Sequence, residues 1–251
     1  MKPETRRLEK RILRKRKPLE RLGARMIYKA LKAQIPDVRS IETVNDQIDM
    51  ISDEPIRQFF RKFYGIVGKS IGVEYFKMLQ KADDEMLENI FLEEMERYSL
   101  NEAGSRIVAI NETSKNLFRR ATEKAIFEAN EYGLGVEKTK DLILNYLQDA
   151  IKPSRARAIA QTELITASNA ASFKAAETTG LNFKKYWSTS GLPDVRDSHM
   201  YAEAWSIEKD GIRMDETFDM GDGTMMLHPG DPAGGPENVI NCRCTVLMEA
   251  I

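Results

Sequence analysis

"SRARAIAQTELITASNAASFKAAETTG", residues 154–180, followed at once by "NFKKYWSTSG", residues 182–191, is where the character of the chain changes. Ser154 is a good N-cap and Gly180 a good C-terminal cap, and about seven turns of helix fit between them. One face carries Ala156, Ala160, Ala167, Ala170 and Ala171, small enough to admit a close helix neighbour. Glu163 falls among these alanines. An unpaired buried carboxylate is costly, so a cationic partner such as an arginine is expected unless Glu163 sits on the rim of the packed face. Beyond Gly180 the helical period fails, and the aromatics and threonine of the next segment predict a strand ending in a Ser-Gly turn.

Working back towards the N-terminus, the chain reads as a series of amphipathic helices. "VEKTKDLILNYLQDAI" is a short helix stopped before Pro153, and "SRIVAINETSKNLFRRATEKAIFEANEYG" is a longer one closed by Gly133. Met86, Ile90, Phe91 and Met95 mark another segment. Ile56, Phe59, Phe60, Phe63, Val67 and Ile71 recur at spacings of three and four behind a Ser52 or Asp53 cap, a stripe that predicts core packing. Pro18 is expected to start a helix that Pro36 closes. Before it, "MKPETRRLEKRILRKRK" holds nine basic residues against Glu4 and Glu9. No strong apolar stripe is evident there, so the segment reads as a solvated arm that the core does not hold. Arg6, Arg7, Lys10, Arg11, Arg14, Lys15, Arg16 and Lys17 would meet phosphate or an acidic protein surface. With no aromatic residue among them to stack on bases, any nucleic-acid binding would be non-specific.

Towards the C-terminus the punctuation is turn chemistry: "KDG", "GDG" and "PGDPAGG" separate short apolar pieces. The last piece, "INCRCTVLME", is expected to be a closing strand. Alternation puts Cys242, Cys244, Val246 and Met248 on one face, with Arg243 and Thr245 opposite. Asn241 and Arg243 are then candidate polar anchors, with Glu163, Asp197 and Glu237 as possible carboxylate partners of Arg243.

The 251 residues carry 38 Lys and Arg against 39 Asp and Glu, a net charge of -1, so no global field draws the protein to nucleic acid. No apolar run approaches a membrane span, and the basic N-terminus lacks the apolar segment of a secretory signal. The 2 cysteines stand one residue apart, which is no disulfide framework and favours a reducing compartment. Cys-x-Cys on a strand aims both sulfurs the same way, and the 2 histidines, His199 and His228, lie in the same C-terminal module. His199, His228, Cys242 and Cys244 are therefore candidate ligands of a structural zinc ion, the alternative being thiols packed as small apolar groups. A Cys242–His199 nucleophile pair lacks an oxyanion hole and a third orienting group, and no zinc-deaminase or phosphate-loop pattern is present. The residues predict no catalytic constellation.

The order of these elements carries a resemblance. Arg157, Ala160, Thr162 and Glu163 on the helix, Trp187 on the strand, then Arg196, Asp197, Ser198 and His199, and finally Pro229, Gly230, Asp231, Pro236, Glu237, Asn241, Cys242, Arg243 and Cys244 resemble the phage Mu F-like minor head, or head morphogenesis, proteins. The similarity covers roughly residues 105–247. Gln161 departs from the arginine usual before Thr-Glu, and His228 stands where an aromatic is common. The resemblance implies a minor capsid protein of a tailed phage, associated with the portal and procapsid, helping head assembly or DNA delivery, and requiring no cofactor. Its partners would be the portal, a major capsid or scaffolding protein and non-specific DNA, with no membrane. It would lie in the virion, in the head interior or portal region, after assembly in the host cytoplasm. The alternative is a metal-dependent or toxin-like enzyme carrying such a module. The expected fold is α+β: mostly α-helical through about residue 180, then a small irregular β-rich module. The expected organisation is a helical region with a basic arm over 1–104 and the head morphogenesis domain over 105–251, divided into helices 105–180 and a β module 181–251.

Overall fold

The computed structural model of the chain describes residues 2–73, 75, 76 and 85–251, and the side chains of these except 85–88, 100 and 102. Met86, expected on an apolar face, is among those exceptions. The architecture is α+β. Helices α1 (Pro3–Lys32), α2 (Val44–Asp49) and α3 (Glu54–Val67) lead into a π-helical turn (Gly68–Gly72). Helices α4 (Glu85–Glu102), α5 (Gly104–Glu131), α6 (Val136–Ala150) and α7 (Pro153–Thr178) follow. Strand β1 (Phe183–Ser188), helix α8 (Asp197–Glu208), strands β2 (Ile212–Arg213), β3 (Phe218–Asp219) and β4 (Met225–Met226), helix α9 (Gly235–Val239) and strand β5 (Thr245–Ala250) form the C-terminal module.

Helix α7 is the pillar of the molecule. From Thr162 to Phe173 every residue is buried, because α1, α3, α4, the π-turn and β5 all pack on it. Its alanines, serines and threonines leave room for such close neighbours. The π-turn approaches α4 through its glycines: a Cβ on Gly72 would lie 2.1 Å from Phe91 Cζ. The aromatic stripe of α3 is core, with Phe59 stacked on Phe63 at 5.2 Å, and Gly133 ends α5 at a positive φ of 61°.

The module's sheet has the order β2-β1-β5, antiparallel, with Trp187 opposite Val246 and Ser188 opposite Thr245. Strands β3 and β4 pair separately. Helix α8 lies against β1. Residues 197–208 carry mixed apolar and polar side chains with little helical segregation, and no helix was expected there from the sequence.

The N-terminal segment differs most from expectation. Pro18 does not start a helix; it sits exposed inside α1. An internal proline costs about 3 kcal/mol of helix stability. Tertiary packing outweighs it, because Thr5, Leu8, Ile12, Arg16, Leu19, Gly23, Ile27 and Leu31 form one buried stripe at spacings of three and four across the proline. The segment is therefore no loose arm. The backbone N–H of Lys2 donates to Glu249 at 2.8 Å and its Nζ to the Ala250 carbonyl at 3.0 Å, tying the start of α1 to β5. One hydrophobic cluster runs continuously from Leu8 to Met248.

Candidate functional site

Helix α9 ends at Val239, and Asn241 takes a left-handed φ of 58°, which asparagine tolerates better than most residues. Its N–H donates to Thr162 Oγ1 and its carbonyl accepts from Gln161 Nε2, both at 3.1 Å, so the turn is pinned to α7. The chain then runs back through Cys242, Arg243 and Cys244. Both cysteines are buried and Arg243 is exposed, the expected alternation, although strand pairing begins only at Thr245 and residues 235–239 are helical.

His199 reaches the same point from α8. That helix is held over β1 by the Trp187 N–H, which donates to Ser206 Oγ at 3.1 Å, and by Thr189, which donates to Glu203. The His199 ring meets Trp187 edge-on at 5.2 Å. Its Nδ1 lies 3.3 Å from Cys244 Sγ and 3.7 Å from Cys242 Sγ, and the three atoms fall within 4.8 Å of one another. The Cys244 N–H points at Cys242 Sγ at 3.4 Å. Among the described residues, His199 Nε2 is buried with no hydrogen-bond partner. A cavity of about 20 Å³ adjoins the cluster, walled in part by Ser190, Asp194, Arg196 and Arg243.

The electrostatics of the pair are asymmetric. A hydrogen bond from Cys244, helped by His199, holds the Cys242 thiol well below its usual range despite burial. The same bond, with burial, pushes Cys244 up. Two sulfurs and an imidazole nitrogen, three electron-pair donors, thus face one point. His228 does not join them. It is buried against Phe173 at 5.7 Å with Nδ1 3.2 Å from the Pro229 carbonyl, and burial pushes its imidazole below the usual value.

The other motif residues hold the module's loops. Arg196 donates to the Ile240 carbonyl at 2.6 Å, and Ser198 Oγ to Asn238 Oδ1 at 3.0 Å. Asp197 is the exposed first residue of α8, where a carboxylate suits the helix dipole, and Arg157 and Glu237 are exposed. Arg243 pairs with neither Glu163, Asp197 nor Glu237: its Nη2 donates to Gln161 Oε1 at 2.7 Å on the surface. Glu163 is buried as expected, but its arginine comes from α5. Arg106 Nε lies 3.3 Å away, Tyr64 donates to Glu163 Oε2 at 2.7 Å, and Arg106 Nη2 donates to Tyr64 at 2.8 Å. Burial raises the Glu163 carboxyl against the pull of Arg106. This group borders an apolar cavity of about 400 Å³ between α5, α7 and α9.

Sequence reasoning missed the residues that join the two halves. Arg16, placed among the surface contacts, is buried. It donates to Ser168 Oγ at 2.9 Å, Thr245 Oγ1 at 2.7 Å, Asn169 Oδ1 at 3.1 Å and the Cys244 carbonyl at 3.3 Å. Burial lowers its guanidinium to about 10. Asn169 in turn accepts from the Val246 N–H at 2.9 Å and donates to the carbonyls of Pro229 and Cys244, each at 3.0 Å. An asparagine and serine inside an alanine-rich helix were the available signal. Lys15, half-buried, donates to the Ser70 carbonyl at 2.7 Å. Arg6, Arg7, Lys10, Arg11, Arg14 and Lys17 are exposed as expected.

With this geometry in view, the chain matches the family model described as phage Mu protein F like protein over residues 120–247, just over half of its length. The match begins within α5 and ends in β5, so it takes in Thr162, the Arg196–His199 segment and the two cysteines. No curated protein and no solved structure matches the chain. The chain belongs to the phage Mu protein F like family, whose members are phage head morphogenesis proteins.

Proposed function

We propose that this protein is a minor head component that associates with the portal, enters the procapsid and helps assemble the head or deliver DNA, as a structural part and not as a catalyst. The observation that carries the reading is the family match across α6, α7 and the whole Cys-x-Cys module. The shape of α1 supports it. Its inward face is core, while Arg6, Arg7, Lys10, Arg14, Lys17, Arg21 and Arg25 lie exposed on the rest of the helix, with Glu4 the exposed acid among them. A rigid cationic ridge on a nearly neutral molecule suits an acidic portal surface or DNA phosphate.

The test is co-purification of the protein with tagged portal of the same phage over a salt series. Wild-type protein should be retained at low salt and released as salt screens the charges. A triple reversal, Arg7→Glu, Lys10→Glu and Arg14→Glu, removes no buried contact and should fold normally but lose retention by about tenfold or more. No retention of wild-type protein at any salt would remove the portal from the account.

A further inference from the structure

We infer that Cys242, Cys244 and His199 bind one zinc ion, with the two sulfurs and Nδ1 as ligands and the fourth position open to the small cavity beside Asp194. Three observations converge on it. The first is distance. A tetrahedral ion with bonds of about 2.3 Å to sulfur and about 2.0 Å to nitrogen sets N···S edges near 3.5 Å. The two such edges here are 3.3 and 3.7 Å, one on each side of that value. Both reach the same nitrogen, which as a neutral imidazole can accept only one S–H; two thiols crowded on it make better sense as two thiolates round a shared cation.

The second observation is the surroundings. The Cys244 N–H directed at Cys242 Sγ, 3.4 Å away, is a backbone donor of the kind that stabilises a metal-bound thiolate. With Nδ1 on a metal, His199 carries its proton on Nε2, so its tautomer is fixed by ligation and not by a second hydrogen bond. The third is access. The cluster is closed by Trp187 on one side, while the adjoining cavity of about 20 Å³ has room for about one water as a fourth ligand.

Ligand type selects the ion. Two thiolates and an imidazole suit zinc and exclude magnesium and calcium, which take oxygen. His228, the fourth candidate from the sequence, is excluded by its place on Phe173.

The experiment uses the full chain purified from zinc-supplemented cells, with metal measured by mass spectrometry after dialysis. The expected result is about one zinc per chain in wild type and in His228→Ala. Cys242→Ser with Cys244→Ser should lose it almost completely. Cobalt added to the metal-free protein should give a thiolate-to-cobalt charge-transfer band with tetrahedral d–d bands, absent in the double variant. That spectrum comes from wild-type protein, so it decides the matter even if the double variant does not fold. No stoichiometric zinc together with no cobalt charge-transfer band in wild type would overturn the site, as would zinc retained in a folded double variant.

Discussion

Glu163 shows what one carboxylate demands of its neighbours. It is buried on α7, accepts from Tyr64 and faces Arg106, so removing its charge strands a guanidinium that is itself 16% exposed. Glu163→Gln should destabilise the protein by about 3 kcal/mol in urea melts, and pairing it with Arg106→Gln should recover part of the loss. Strictly additive effects would show that the two charges do not depend on each other. Lys185 makes the opposite case, a buried cation with no carboxylate in salt-bridge reach among the described residues. It donates to the carbonyls of Met214 and Leu227 and lies over Phe173 and Phe218, and burial lowers its pKa to about 8. The cost of that buried charge is fully present below pH 8. Between pH 8 and 10.5 the unfolded chain binds more protons than the native one, so stability rises with pH. Wild type should therefore gain up to about 3 kcal/mol on Lys185→Met across that window. Parallel profiles for the two proteins would refute the assignment.

Among the elements, α1 carries the sharpest consequence. The sequence read as a dispensable arm, whereas the helix delivers Arg16 into a network that includes the Cys244 carbonyl and Thr245, one residue from a proposed zinc ligand. Arg16→Ala should cost about 2–4 kcal/mol, since it leaves several buried acceptors short of a donor. Deleting residues 2–17 should lower Tm by many degrees; an unchanged Tm would return the segment to the status of a free arm. The error has a physical source. Leu8, Ile12 and Leu19 repeat too sparsely among the charges to register as a stripe, and Pro18 reads as a boundary unless one knows that α7 waits to cover both sides. The aromatic stripe of α3, the glycines that follow α5 and α7 and strand β1 were legible because each is a local pattern, whereas Ser154, expected to cap α7, lies inside it, with Lys152 at the cap. Helix α8 and the pairing of Glu163 with Arg106 were not, because packing on β1 decides the first and burial round α7 the second, not periodicity. At the site, the two cysteines and His199 could be read as a group by their rarity; that His228 stands apart needed the fold.

At the scale of the molecule, the pieces combine into one body. A basic ridge faces outward, and its inward face is bonded to the same strand that follows the Cys-x-Cys turn. The family supplies the setting, a phage head, and the proposal assigns the ridge to attachment. Because ridge and module share one core, a charge change on the ridge should alter attachment while leaving the melting transition alone, whereas changes at Arg16 or Glu163 should affect both. The central claim is that this protein becomes part of the assembling head. The most direct test is the composition of procapsids isolated from infected cells by sedimentation, read by quantitative mass spectrometry. The account predicts the protein in those particles in fixed proportion to the portal, and its depletion when the α1 charge-reversal variant replaces wild type. Portal-containing procapsids that lack it, with the protein left soluble and monomeric in the supernatant, would contradict the account.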